Sequence, residues 1–194
     1  REPDVGEIIL SYPLLGAQHI LEGIDHLLFV FGLLLLVGGG SRLFWTITAF
    51  TLGHSVTLAL VTLEVFVFPS DLAELVIALS IFLLALELSR KENPGFLWKN
   101  PWWLAGGFGL LHGLGFAGAL AETGLPQNQV PLALLFFNLG IEIGQLLFIG
   151  AVYLVWFLSR SIVPDNLLVR KIPIYILGGL SAMWCIQRGM EFVY

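Results

Sequence analysis

His19-Ile20-Leu21-Glu22-Gly23-Ile24-Asp25-His26 runs directly into Leu27-Leu28-Phe29-Val30-Phe31-Gly32-Leu33-Leu34-Leu35-Leu36-Val37. Two imidazoles and two carboxylates therefore stand at the head of a long apolar stretch. Read as one helix turning about 100° per residue, positions 19, 22 and 26 share a face, and Asp25 lies one turn below Glu22 on its edge. Such a face is a row of candidate metal ligands. Imidazole and carboxylate together suit nickel, cobalt, zinc, iron or copper better than calcium or magnesium, which prefer oxygen alone.

The apolar stretch belongs to a chain of the same character. Of 194 residues, 57% are hydrophobic and 12% charged, half the charge of a soluble domain, which is about 25% charged. An integral membrane protein is expected. The net charge of -5 says little about partners, because charge in such a protein acts through its place on the loops. No basic patch points to nucleic acid. Cys185 is the single cysteine, so no disulfide can form within the chain, and it reads as a small buried hydrophobe. The chain begins at Arg1 without a signal peptide, which leads us to expect processing or trimming upstream.

A spanning helix needs about 20 mainly apolar residues. Six segments qualify, at 17–38, 43–66, 71–89, 101–121, 129–158 and 172–193, preceded by a short external segment, 1–16. The expected fold is all-α: a single transmembrane domain over 1–194, a polytopic bundle of six transmembrane helices. Seven of the nine basic residues (Arg42, Arg90, Lys91, Lys99, Arg160, Arg170 and Lys171) fall in loops on one side. The other side carries Glu2, Asp4, Glu7, Asp71, Glu74 and Glu122, with Arg1 and Arg188 as its cations. Lys and Arg favour the cytoplasm, so both termini are expected outside. Trp45, Trp98, Trp102, Trp103 and Trp156 fall near the cytoplasmic boundary, where indole rings anchor helices. The location this implies is a bacterial inner membrane with both termini periplasmic.

The halves also echo one another. Phe50-Thr-Leu-Gly53-His54 resembles Phe137-Asn-Leu-Gly140-Ile141, and the same offset sets Asp25 against His112. Three helices per half, an odd number, make two inverted repeats the natural candidate, with a site at the midplane between them.

Depth is the next constraint. At about 1.5 Å rise per residue, His26, His54, His112 and Glu142 all fall near the middles of their helices, with His19 about 10 Å outward. Asn138, Glu142 and Gln145 form an i, i+4, i+7 stripe on the fifth helix. A charged carboxylate at a helix centre costs roughly 2.5–3.5 kcal/mol, so Asp25 and Glu142 together cost roughly 5–7 before pairing. No Lys or Arg is expected at that depth, since Arg188 lies in the outer part of the sixth helix, where Glu22 is a candidate partner. Protonated histidine, a protonated carboxyl or a bound cation remain as neutralising groups. A divalent metal would cancel both carboxylates and use the imidazole nitrogens in one step. Plain helix-to-helix polar contacts explain any single histidine; four histidines and two carboxylates converging within the apolar helices favour function. Gly109-Gly113 and Gly140-Gly144, small residues four apart, with Gly106, Gly107, Gly115 and Gly118 around His112, predict close helix packing.

Four ordered motifs then carry a likeness. Gly16-Ala-Gln-His19-Ile-Leu-Glu22-Gly23-Ile-Asp25-His26, Phe50-Thr-Leu-Gly53-His54-Ser55, Gly109-Leu-Leu-His112-Gly113 and Phe137-Asn138-Leu-Gly140-Ile-Glu142-Ile-Gly-Gln145 resemble the HupE/UreJ family, regarded as nickel or cobalt permeases of hydrogenase and urease maturation. His19, five residues, then Asp25-His26 is also similar to the shorter His-x4-Asp-His of larger nickel/cobalt permeases, which share a Leu-Gly-His-Ser element like Leu52-Gly53-His54-Ser55. The resemblance implies Asp25, His26 and His54 as the leading metal contacts. Many relatives have His-Pro where this chain has His19-Ile20.

The function expected is a transition-metal permease, not an enzyme. Asp25, His26, His54, His112, Glu142, His19 and Glu22 are the candidate ligands, with Ser55, Asn138 and Gln145 as hydrogen-bonding supports. The expected ligand is a divalent transition metal: nickel or cobalt first, with zinc, iron and copper not distinguished. Expected partners are the lipid bilayer, the metal ion, and metallochaperones or a second copy of the chain. With no P-loop, energy would come from an ion gradient, the membrane potential or a partner. The alternative is a membrane metalloprotein or oxidoreductase subunit holding a fixed metal, or a haem between His54 and His112. A serine protease built on Ser55 is weaker, because His54 points about 100° away from it on a helix.

Overall fold

The computed structural model describes residues 4–90, 96–122, 129–162 and 167–193. Arg1, Glu2 and Lys91, three of the residues used to orient the chain, lie outside them. Among the described residues every regular element is a helix: α1 Val5–Glu22, α2 Ile24–Val37, α3 Ser41–Thr62, α4 Ser70–Ser89, the single turn α5 Phe96–Lys99, α6 Pro101–Glu122, α7 Val130–Ser159 and α8 Leu167–Val193. Helices α3, α4 and α7 are each long and apolar enough to cross a membrane, and the bent pair α1–α2 makes a fourth. Leu10, Leu14, Trp103, Val155 and Tyr175 are largely exposed, a liability in water but suited to a lipid-facing surface.

The first segment departs from expectation. Instead of an external stretch followed by one helix over 17–38, the chain is helical from Val5 and breaks at Gly23, where α1 and α2 meet at 78°. Two local signals cause this. Asp4 and Glu7 form a capping box: the Asp4 carboxylate accepts from the Val5 N–H at 2.8 Å, and the Asp4 N–H donates to Glu7 at 3.0 Å, which starts α1 early. Gly23 then adopts extended backbone (φ -77, ψ 95), ending α1 and serving as N-cap of α2. Its φ suits any residue; space is what demands glycine. A Cβ there would lie 2.8 Å from His26 Nδ1 and 2.9 Å from the His19 carbonyl oxygen. Asp25, in the first turn of α2, accepts from the His26 N–H at 2.9 Å and faces the positive end of the helix dipole.

Helix packing is dominated by two pairs, α3 with α6 and α1 with α7. Both crossings rest on glycine. At Gly16 a Cβ would meet the Phe137 carbonyl and the Ile141 nitrogen; at Gly109 it would meet the Phe50 carbonyl and the His54 nitrogen. Reciprocally, a Cβ at Gly140 would strike the Pro13 carbonyl, and one at Gly53 the Gly106 carbonyl. One contact set therefore occurs twice, with Phe50-Thr-Leu-Gly53 and Phe137-Asn-Leu-Gly140 as its matching strips. His19 and His112 each follow their crossing glycine by three residues, so they stand at equivalent places; the expected match of Asp25 to His112 does not hold. The helix break explains the slip, because matching Asp25 to His112 treats the first segment as one unbroken helix.

Apolar packing joins the pairs. Phe29, Phe50, Ile81, Leu84 and Leu177 unite α2, α3, α4 and α8 in one fully buried cluster. Ile8, Ile20, Leu58, Phe137 and Ile141 form a second between α1, α3 and α7. Full burial of side chains this size contributes roughly 1.5–3 kcal/mol each relative to water; in lipid the gain comes instead from close packing. The chamber described next lies between these clusters.

Candidate metal-binding site

Four rings from four helices meet at the α1–α2 break. His19 ends α1, His26 begins α2, His54 lies on α3 and His112 on α6. Ring centroids are 4.6 Å apart for His19 and His26, 6.0 Å for His54 with each of these two, and 5.1 Å for His26 and His112. One nitrogen each from His19, His26 and His54 can be chosen so that all three lie within 4.8 Å of one another. An ion centred in a triangle that wide sits about 2.8 Å from each nitrogen, against roughly 2.0–2.1 Å for an imidazole–zinc bond, so closure needs each ring to move about 0.7 Å. His19 therefore belongs to the cluster, not to a position about 10 Å outward as a straight helix would have it. The bend at Gly23 folds it back.

Hydrogen bonding fixes where the lone pairs are. His26 Nδ1 is 3.1 Å from Asp25 Oδ1, and an ionised carboxylate only accepts, so Nδ1 carries the proton and Nε2 the lone pair. Ser80 donates its hydroxyl to the Ile77 carbonyl at 2.6 Å, so its oxygen accepts from His112 Nε2 at 2.9 Å. The lone pair of His112 is thereby left on Nδ1. Among the described residues, His26 Nε2, His112 Nδ1 and both nitrogens of His54 are buried without a hydrogen-bond partner. His54 and His112 are 0% exposed, and an unsatisfied buried polar atom costs about 1–3 kcal/mol. A cation is the group that uses several lone pairs at once. An outer carboxylate or hydroxyl orienting each imidazole is the usual setting of a metal-ligating histidine.

These buried nitrogens fall in three of the four motifs quoted above, all inside the span matched by a known family. The chain belongs to the HupE/UreJ family. The family description, HupE / UreJ protein, matches residues 2–188. No curated protein and no solved structure matches the chain significantly. Membership in the HupE/UreJ family makes this a membrane protein connected with metal transport.

The remaining residues singled out in this HupE/UreJ sequence lie as follows. Asp25 lines the chamber beside His26. Glu142, expected at the central site, instead accepts a hydrogen bond from Thr48 at 2.6 Å and is outside the histidine triad. Its neighbour Ile141 faces the α1 crossing, and one residue is about 100° of turn, so Glu142 points elsewhere; shared depth does not choose direction. Gln145 accepts from Thr51 at 3.0 Å, fully buried, with its Nε2 unpartnered among the described residues. Asn138 is near His54 but outside normal hydrogen-bond geometry, and its amide donates to the Leu134 carbonyl at 2.8 Å. Ser55 donates to the Thr51 carbonyl at 2.6 Å, an intrahelical bond that leaves no nucleophile–base pair with His54. Glu22 is exposed and accepts from Gln18 at 2.7 Å. Arg188 reaches Asp25 and Glu74 rather than Glu22.

Sequence reasoning missed Ser80 and Glu74, and set Arg188 beside Glu22 rather than at the histidine chamber. Ser80 is the one polar residue within Leu75–Leu86, a signal available from sequence. Nothing local marks Glu74 or Arg188, which meet only through the packing of α4 against α8.

Proposed function

We propose that this chain is a permease for a divalent transition-metal ion, with nickel or cobalt as the first candidates. The observation that carries the reading is the triad His19, His26 and His54 at a broken helix, with nitrogens within 4.8 Å and His112 alongside. Asp25 supplies charge and orients His26. Imidazole-rich coordination fits nickel, cobalt, zinc or copper, and the order of intrinsic affinities does not choose among them.

In this reading the bent α1–α2 pair counts as one crossing, so α1–α2, α3, α4, α6, α7 and α8 make six, with both termini periplasmic in a bacterial inner membrane. The two glycine crossings are two copies of one inverted unit, and broken helices at the interface of such units are where secondary transporters hold their cargo. Metal binding requires unprotonated imidazole nitrogens, so a proton that reaches the triad competes with the cargo, which provides a means of coupling to a proton gradient. Metallochaperones or a second copy of the chain are the protein partners this role would use.

The competing reading is a permanently held metal or haem. Its haem form meets a spatial objection: the chamber lined by His19, His26 and His112 has a volume of about 160 Å³, whereas sites for drug-sized ligands hold roughly 300–1,000 Å³. The test is uptake of nickel or cobalt into proteoliposomes carrying the wild-type chain or His26→Ala. We expect uptake by the first and background by the second. Equal uptake by both removes the site, and tight binding without exchange favours a fixed metal.

A further inference from the structure

Among the described residues, Arg188 brings a guanidinium to the histidine chamber. It lines the same cavity as His19, His26 and His112, together with Asp25 and Glu74. Its contacts are unequal. Nη1 donates to the Glu74 carbonyl at 2.9 Å and Nε pairs with the Glu74 carboxylate at 3.4 Å, while Nη2 stands 4.0 Å from Asp25 Oδ2. Arg188 thus hangs from Glu74 on α4 and extends one arm toward Asp25. The Asp25 carboxylate is divided between two partners: Oδ1 holds His26, and Oδ2 faces the arginine.

We propose that Arg188 is a tethered counter-ion that stands in for the cargo, neutralising Asp25 in the metal-free protein and yielding Asp25 when a divalent cation loads the histidines. This rests on the metal-permease reading above. The Asp25 side chain is only 20% exposed, and a carboxylate so covered is stabilised by a positive partner. Without metal, Arg188 provides it. With metal on His26, positive charge builds on the far side of the same carboxylate and opposes the guanidinium, whose two Glu74 contacts let it withdraw without becoming unpaired. The device also discriminates. A monovalent ion gains half the attraction to Asp25 that a divalent ion does, so it competes poorly with an arginine already in place. Arg188 is then a specificity-determining residue, acting on the cargo by charge and not by ligation.

The test is equilibrium binding of Ni²⁺ to the purified full-length chain. Arg188→Met, which keeps length and removes charge, is expected to tighten Ni²⁺ binding ~10-fold by deleting the competitor. In an Asp25→Asn background the same change is expected to alter affinity by less than about twofold, since the competition runs through Asp25. A second measurement uses the native protein: phenylglyoxal modification of Arg188, followed by peptide mass mapping, should accelerate several-fold when Ni²⁺ is added. If wild-type protein binds Ni²⁺ and Arg188→Met binds it equally or more weakly, the counter-ion role is wrong. The role is equally wrong if Ni²⁺ slows or leaves unchanged the modification of Arg188, whether or not the variant folds. Failure of the wild-type chain to bind Ni²⁺ at all sinks the permease reading, and this inference with it.

Discussion

The α3/α6 crossing and the α1/α7 crossing use the same backbone contacts and end with different chemistry. Phe50-Thr-Leu-Gly53 is followed by His54, and Phe137-Asn-Leu-Gly140 by Ile141. Both following residues are 0% exposed and their backbone nitrogens approach the opposing glycine in the same way. At this position one crossing carries an imidazole that joins the histidine triad, and the other an aliphatic side chain buried among Ile8, Tyr12 and Ile20. The opposing helices differ too: α6 runs unbroken past His112, while α1 stops at Gly23 four residues after His19. The two crossings share their glycine contacts, yet the ligand His54 lies at the crossing whose partner helix α6 is continuous, and the break at Gly23 lies at the crossing whose strip ends in Ile141.

The glycines are where the comparison breaks most severely. Gly109→Ala and Gly16→Ala each place a methyl against a carbonyl of the opposing helix, with no flexible side chain to move aside. Overpacking of this kind costs about 1–3 kcal/mol or more, so both variants should lose thermal stability in detergent by similar amounts. A large loss at one crossing and none at the other would show the two to be unlike.

Less drastic is the exchange of the residues that differ. His54→Ala should weaken Ni²⁺ binding by about 100-fold, on the order of 2.7 kcal/mol. Ile141→His, tested alone or in the His54→Ala background, should not restore it, because α7 at that position faces α1 at Gly16 and not the chamber. Recovery of binding in the double variant would mean that the crossings are interchangeable. A smaller effect is expected at Ser80→Ala, which removes the acceptor for His112 Nε2; loss of such an outer partner typically weakens metal binding about 10–100-fold. Titration calorimetry measures each case, and an unchanged affinity in Ser80→Ala would place His112 outside the site.

Much of this was readable before folding. Helices over 43–66, 71–89, 101–121, 129–158 and 172–193 were expected, and α3, α4, α6, α7 and α8 lie within a few residues of those ranges, apart from the earlier start of α8 at Leu167. Long apolar runs bounded by Pro, Gly and charge state their own limits. The first segment was not readable in the same way, because Gly23 between Glu22 and Asp25 is compatible with either a continuous helix or a break. What decides is the space around it: His26 and the His19 carbonyl fill the place a side chain would need.

Sequence alone determined that imidazoles and carboxylates were held in an apolar setting, since residue type and hydropathy are local properties. Tertiary structure alone decided which of them meet. His19 joins the cluster through a 78° bend, Glu142 leaves it for Thr48, and Arg188 arrives from α8 to within 4.0 Å of Asp25. Each outcome depends on direction across helix interfaces, and direction is set by backbone crossings between residues that are near or far apart in the chain, a quantity no single stretch of sequence contains.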